Sequence, residues 1–416
     1  MNETQKKKLM VVVGAGASIE LGMPSVNEID SLFSDWAKER YQLINDEDKT
    51  LYCYIKDEVN HYYKLNPKQN LQKETNFEEV LYVIIQLSAA LGDDNYKFPI
   101  NAFYSEMKEL PKINSHAGEK FVDGNDLRQL YFLLVDKLTS KFRELCKTSK
   151  ENNKQNFNHF KNFINQLNND YDVAFITLNY DNLINQAIPN LFTGFKKDGS
   201  FDPESIYKRS DWGLIYHLHG SVHFDMQGDS SDMHAIKWNE NLNSTFYGNS
   251  SGRNSQDTSE GISMPTSAII AGYGKTNQIQ RVPFRTYYSK IDEIASMAEA
   301  FLFMGYGFND LHLNNSLHTI RDGDQNKPIV IIDWAADDQD PMQSRHDDWT
   351  YNLCKAIQVD ASKMATKKYK KISPNIKDLK KDKEFEVSQN PNYPLSIWYG
   401  GFIEACKNYS KIKSEL

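Results

Sequence analysis

The chain has 416 residues, 40% hydrophobic and 25% charged, with 48 Lys plus Arg against 56 Asp plus Glu and a formal net charge of −8. That composition excludes a disordered or fibrous chain, and the acidic surplus argues against direct nucleic-acid binding. No window approaches ~20 consecutive apolar residues, which excludes a membrane helix on hydropathy, and the stretch Leu9-Met10-Val11-Val12-Val13 is too short for a secretory signal. A cytoplasmic protein of two or three domains, or one large domain with an insertion, is expected. Cysteines 53, 146, 354 and 406 form no Cys-x-x-Cys pair, which argues against a zinc ribbon or a thioredoxin-like site and predicts buried thiols.

The opening run from Leu9 to Val13, ended by Gly14, predicts a strand buried on both faces of a parallel sheet. A glycine-rich turn follows. Ser25 stands three residues ahead of Glu28, a capping box that opens a helix carrying Ile29, Leu32, Phe33 and Trp36 on one face. Residues from about 30 to 168 are Leu/Lys/Glu-rich with helical period and no clear strand signal, which predicts a large helical insertion. The sheet resumes at 173–177, followed by a short helix from Asn182 and a strand at 214–219. Residues 227–262, rich in Ser, Asn, Asp and Gly, read as a surface loop. Strands at 268–270, 301–304 and 329–332 alternate with helices at 287–299 and from Asp310. A further helix is predicted at 347–357. This alternation predicts a doubly wound α/β parallel sheet over residues 1–340, with a small C-terminal segment, 341–416. Nine lysines between 363 and 383 read as a solvated linker or a patch for phosphate or an acidic partner.

Gly14-Ala15-Gly16-Ala17-Ser18 follows the first strand, where glycines permit a sharp turn and close approach to a pyrophosphate. Ile19 occupies the third position of the dehydrogenase fingerprint, so the motif reads equally as a structural turn. Gly272-Tyr273-Gly274-Lys275-Thr276 ends like a Walker A loop, but Ile269 stands where its first glycine belongs. Asn179 and Asp181, at the carboxyl end of a strand, could hold ribose or water in the crevice, or could simply cap the next helix. His217, His219 and His223 offer a general base better than a metal site, because no carboxylate or cysteine stands at ligand spacing. Gly305-Tyr306-Gly307 with Asp310 forms a second glycine-rich turn opening a helix, and Asp333 ends the next strand where an acidic residue often reads a ribose.

Taken in order, Gly14 to Ser18 with Gly22-Met23-Pro24, Asn179-Tyr180-Asp181, His219-Gly220-Ser221, and Gly305-Tyr306-Gly307 with Asp310 resemble the sirtuin fold family. In particular they look like the bacterial sirtuin-like NAD hydrolases of anti-phage defence. The resemblance spans roughly residues 9–335 and implies a Rossmann-like sheet of sirtuin type. It implies cleavage of NAD to nicotinamide and ADP-ribose, with Asn179 positioning water and ribose and His219 as general base. Asp181 would hold ribose or local geometry. Gly14, Ala15, Gly16, Ala17, Ser18, Gly22, Pro24, Gly305, Tyr306, Gly307, Asp310 and Asp333 would bind the rest of the dinucleotide. The four zinc cysteines of deacylating sirtuins and the Phe and Arg after their Gly-Ile-Pro-Asp element are missing here, so no zinc is expected and deacylation loses support. The resemblance further implies a homo-oligomer and a HerA-type ATPase partner, with segment 341–416 as the candidate contact. A nucleotide-binding sensor without turnover is the alternative.

Overall fold

The uninterrupted apolar run from Leu9 to Val13 makes Lys7–Val13 (β1) a strand whose alternate apolar side chains enter two different cores. The computed structural model describes residues 6–65, 75–91, 109–115, 118–226, 236–243, 251–257, 263–272, 275–321, 326–335, 347–357, 369–371, 376–388 and 394–416. β1 lies near the middle of an eight-stranded sheet. The other strands are Tyr171–Thr177 (β2), Leu214–His217 (β3), Ala300–Met304 (β4), Ile329–Ile332 (β5), Tyr369–Lys371 (β6), Glu386–Ser388 (β7) and Leu395–Trp398 (β8). Their order is β6-β7-β8-β5-β4-β1-β2-β3. Pairing is parallel from β8 through to β3, and antiparallel at β6-β7 and β7-β8.

Leu9, Val11 and Val13 face one core, which the helical insertion fills, and Met10 and Val12 face the other. This is a doubly wound α/β fold with a mostly parallel sheet. The chain reverses its direction of travel across the sheet at β1 and β4, the switch point where such sheets open a crevice at their carboxyl ends.

The helices of the first core are Gly16–Ile19 (α1), Val26–Ala37 (α2), Leu51–Leu65 (α3), Phe77–Ala90 (α4), Gly124–Asn152 (α5) and Lys154–Asp170 (α6). At α2, Ser25 accepts from the Glu28 N–H while Glu28 reaches back to the Ser25 N–H, the reciprocal cap that the sequence predicts. Asp123 and Asp126 cap α5 in the same way. That helix buries Leu127, Leu130, Leu134 and Leu138 at helical spacing. Short helices Leu183–Ala187 (α7) and Leu311–Leu317 (α9) follow β2 and β4, and Phe284–Met297 (α8) precedes β4. Helix Asp347–Ala356 (α10) falls where the period predicts one.

Several expectations need correction. The insertion contains a hairpin, Lys112–Ser115 with Gly118–Phe121, whose mostly exposed second strand has no apolar alternation to reveal it. Parts of the loop 227–262 are paired instead. Phe224–Met226 meets Ile236–Trp238, and Ser251–Asp257 meets Ser263–Ser267, the remainder of 227–262 lying partly outside the described residues. Residues 268–270 do not join the sheet; Ile269 makes a single bridge to Gly220, and the Ile270 N–H donates to the His219 carbonyl. Described residues of the segment 341–416 extend the sheet, because β8 pairs with β5 and Glu20 accepts from the N–H groups of Phe402 and Ile403, opening helix Phe402–Lys407 (α11). Of the lysine run, Lys363, Lys367 and Lys368 lie outside the described residues. Cys146, Cys354 and Cys406 are buried and Cys53 is half-buried, all as free thiols. No helix among the described residues is long and apolar enough to cross a membrane.

Candidate functional site

Register places the candidate residues at one level of the sheet. Val13 pairs with both Met304 and Thr177, and Thr177 pairs with His217. Gly14, Gly305, Asn179 and His219 therefore all leave the carboxyl ends of adjacent strands, within two residues of that row.

The two glycine turns touch through their backbones. Gly16 N–H donates to the Gly305 carbonyl at 3.1 Å, and Gly14 N–H to Met304 at 2.9 Å. A Cβ on Gly305, at φ +57°, would stand 2.2 Å from the Ala17 nitrogen, and one on Gly14 would stand 2.5 Å from the Gly305 oxygen. The glycines are thus required by the packing of one turn on the other. The Ala17 and Ser18 N–H groups donate to Gly14 and Ala15. Ala15 is exposed, Gly16 half-buried and Ala17 buried. Gly22 is exposed, its φ of +92° setting it against the Asn153 amide, and Pro24 is half-buried before the α2 cap. These two stand on the outer side of the turn.

Asn179 is 8% exposed. Its Nδ2 donates to the Gly14 carbonyl and to Ser18 Oγ, both at 2.9 Å. Ser18 Oγ in turn donates to Asp181 Oδ2 at 2.7 Å, and the Leu183 N–H donates to Asp181 Oδ1 at 3.1 Å. Both carboxylate oxygens of Asp181 are therefore occupied within the protein. Its burial raises the carboxyl above the ordinary carboxylate range despite those donors. Both amide hydrogens of Asn179 are spent, which leaves Oδ1 to accept from a ligand or water.

His219 and Asp310 form the second cluster. His219 Nε2 lies 2.8 Å from Asp310 Oδ2, and Lys275 Nζ lies 3.4 Å from the same oxygen and 3.4 Å from Glu78 Oε2. Asp310 Oδ1 accepts from the Leu313 N–H and caps α9. Burial alone would raise the Asp310 carboxyl; His219, Lys275 and the Leu313 N–H outweigh it and hold the carboxyl far below its usual range. Burial, then the Lys275 ammonium, push the His219 imidazole below its ordinary value against the pull of Asp310. A neutral imidazole beside an ionised carboxylate must carry its proton on Nε2, so Nδ1 holds the free lone pair.

Tyr306 is buried and donates to Asn314 Oδ1 at 2.6 Å, while Asn314 Nδ2 donates to the Phe308 carbonyl. It shapes the second turn from inside, and Gly307 is exposed on it. Asp333 stands apart at the end of β5, half-buried, its Oδ1 accepting from the Trp334 N–H at 2.7 Å. His217 and His219 do not converge: the His217 ring lies against Phe224 and Trp238. His223 stacks on Trp238 at 4.3 Å and bonds Asn182 and the Asn239 carbonyl. Among the described residues no three His, Cys, Asp or Glu side chains gather as a metal set.

Lys275 and Glu78 are the members that sequence reasoning missed. Lys275 stood in the broken Walker-like motif and Glu78 in an ordinary helical run, and no local spacing links either to Asp310. Tyr273 and Gly274 of that motif lie outside the described residues.

Among solved structures the chain is similar to a mutant Sir2 homologue complexed with 2'-O-acetyl ADP ribose, at 13% identity and a TM-score of 0.34, over 90% of this chain and 100% of that one. A Sir2 homologue–NAD complex matches at 12% identity and a TM-score of 0.34, over 85% of this chain and 90% of that one. No curated protein matches. Residues 173–354, which carry Asn179, Asp181, His219, Lys275 and Asp310, match the model of a family described as a SIR2-like domain.

Proposed function

We propose that the chain hydrolyses the bond between nicotinamide and ribose in NAD, giving nicotinamide and ADP-ribose. The observation that carries this reading is the pair of committed side chains at the sheet's switch point. Asn179 has only its amide oxygen to offer, and His219, fixed through Nε2 by Asp310, has only Nδ1. The SIR2-like domain match over the same residues supports it.

The reaction needs little more. Nicotinamide leaves with the electron pair of the broken C–N bond, positive charge builds on the ribose, and one water adds and releases one proton. In this reading Asn179 Oδ1 accepts from that water or from a ribose hydroxyl, and His219 Nδ1 takes the proton. Asp181, through the Ser18 hydroxyl, holds the Asn179 amide in place and serves as a positioning residue. In this reading the turns Gly14 to Ser18 and Gly305 to Gly307 would take the pyrophosphate, Gly22 and Pro24 would support the first turn from its outer side, and Asp333 would meet the adenosine ribose.

The test is nicotinamide release from NAD by the purified protein, with Asn179→Ala and His219→Ala beside it. Each variant should lose at least about 10²-fold in rate while still unfolding in one cooperative transition. Wild-type rates in either variant would remove that residue from the mechanism. The burial of Asn179 and His219, 8% and 5% exposed, favours one second reading, a nucleotide-binding sensor without turnover. Binding of NAD without release would establish it.

The same reading extends to a cytoplasmic role in anti-phage defence by NAD depletion, in a homo-oligomer with a HerA-type ATPase that contacts segment 341–416. It rests on the resemblance alone. Co-purification of the ATPase with the full chain, and its loss on replacing the lysines of 363–383, would test the contact.

A further inference from the structure

The helical insertion holds a cavity of about 590 Å³ between α3 and α4, away from the residues assigned above. Its size falls in the range of small-molecule sites, roughly 300–1,000 Å³. Four tyrosines line it, Tyr54, Tyr62, Tyr63 and Tyr82, with Glu58 and Glu79, and aliphatic side chains complete the wall. The Tyr62 and Tyr63 rings stand 6.0 Å apart.

Glu79 is the unusual member. It is 8% exposed, and Oε1 accepts from the Tyr63 hydroxyl, while Oε2 is buried without a hydrogen-bond partner. A buried carboxylate oxygen left unpaired costs free energy, which a donor in the cavity would recover once the Glu79 carboxylate turns toward it. No Lys or Arg lies among the described lining residues. Tyrosine faces attract cations through the ring quadrupole, and a buried carboxylate attracts them by charge.

We propose that this cavity binds a small organic cation, an ammonium or amidinium group on an apolar or aromatic body, with Glu79 pairing the charge and the tyrosines enclosing the body. The helix that carries Glu79 also carries Glu78, which faces Lys275 beside Asp310. The ligand would therefore sit on the element that borders the candidate active site.

Titration calorimetry on the full chain tests this with phenethylamine as probe, beside its neutral analogue 2-phenylethanol and its anionic analogue 3-phenylpropionate. Phenethylamine should bind saturably, and the alcohol and the acid at least about tenfold more weakly. Glu79→Gln, which keeps the shape, should bring phenethylamine down to the level of the alcohol. Tyr62→Ala, at the exposed rim, should weaken it several-fold. Equal affinity for amine and alcohol, or unchanged affinity in Glu79→Gln, would overturn the proposal. So would no saturable binding of the amine up to roughly 10 mM, weak even for a ligand of its size. None of these outcomes depends on NAD turnover.

Discussion

As the general base of the proposed hydrolysis, His219 would have to be neutral to accept a proton, and its surroundings fix the pH at which it is. Because burial and Lys275 depress its imidazole below about 6.5, the acid limb of kcat/KM is expected below the ordinary histidine range. Lys275→Met removes one depressing charge and leaves Asp310 to act alone, so that limb should move to higher pH. A pH–rate profile of the two proteins checks the sign, and a purely structural lysine would lower the rate without moving the limb. His217 offers a separate, stability-based reading. It is fully buried with neither ring nitrogen hydrogen-bonded, and burial followed by His223 pushes it down to about 3. The unfolded chain takes up a proton near pH 6.5 and the folded ring does not until about 3. This site therefore costs about 1.4 kcal/mol of stability per pH unit as pH falls through that window, and nothing above it. Urea midpoints at pH 7 and pH 5 should differ more in the wild type than in His217→Leu. At this scale Asn179, Asp181, His219 and Asp310 could be named from the sequence because each follows an apolar run that ends in a turn. The division of labour could not. That Asp181 spends both oxygens on Ser18 and Leu183, and that Lys275 stands between Glu78 and Asp310, depends on contacts between distant segments.

The two glycine turns act as one element. Gly305→Ala would push a Cβ into the backbone of Gly16 and Ala17 at a positive φ, and no rotamer relieves a clash with backbone. It should cost about 3 kcal/mol or more in urea unfolding. Gly307→Ala, whose Cβ would meet only the Asn309 amide at 3.5 Å, should stay within about 0.5 kcal/mol of wild type. A comparable loss in both would mean that the turns are not locked together. Elements with a local physical signature were legible in the sequence: the buried strand runs, and the α2 helix announced by its Ser25 and Glu28 cap. Those lacking one were not. The hairpin at 112–121 and the strand pair 251–257 with 263–267 show no apolar alternation, and β8 is a short run set in a mixed segment.

Across the whole molecule the sheet separates two cores. The insertion packs on one face, while α8, α9 and α10 pack on the other, and α4 touches both the first core and Lys275. The doubly wound class follows from strand and helix alternation and could be read directly. The place of β8 within the sheet could not, since strand order across a crossover leaves no mark in local pattern. That order has a consequence for how the protein is made. Val11, in β1, finds its two sheet neighbours in Phe175 and Leu302, both far later in the chain. A nascent chain emerging from its N-terminus carries β1 unpaired until the whole insertion and β2 have followed. It has Asn179 long before it has Asp310. The row of side chains at the sheet's edge therefore closes late, and a fragment released before residue 310 would hold His219 with no carboxylate to fix its proton.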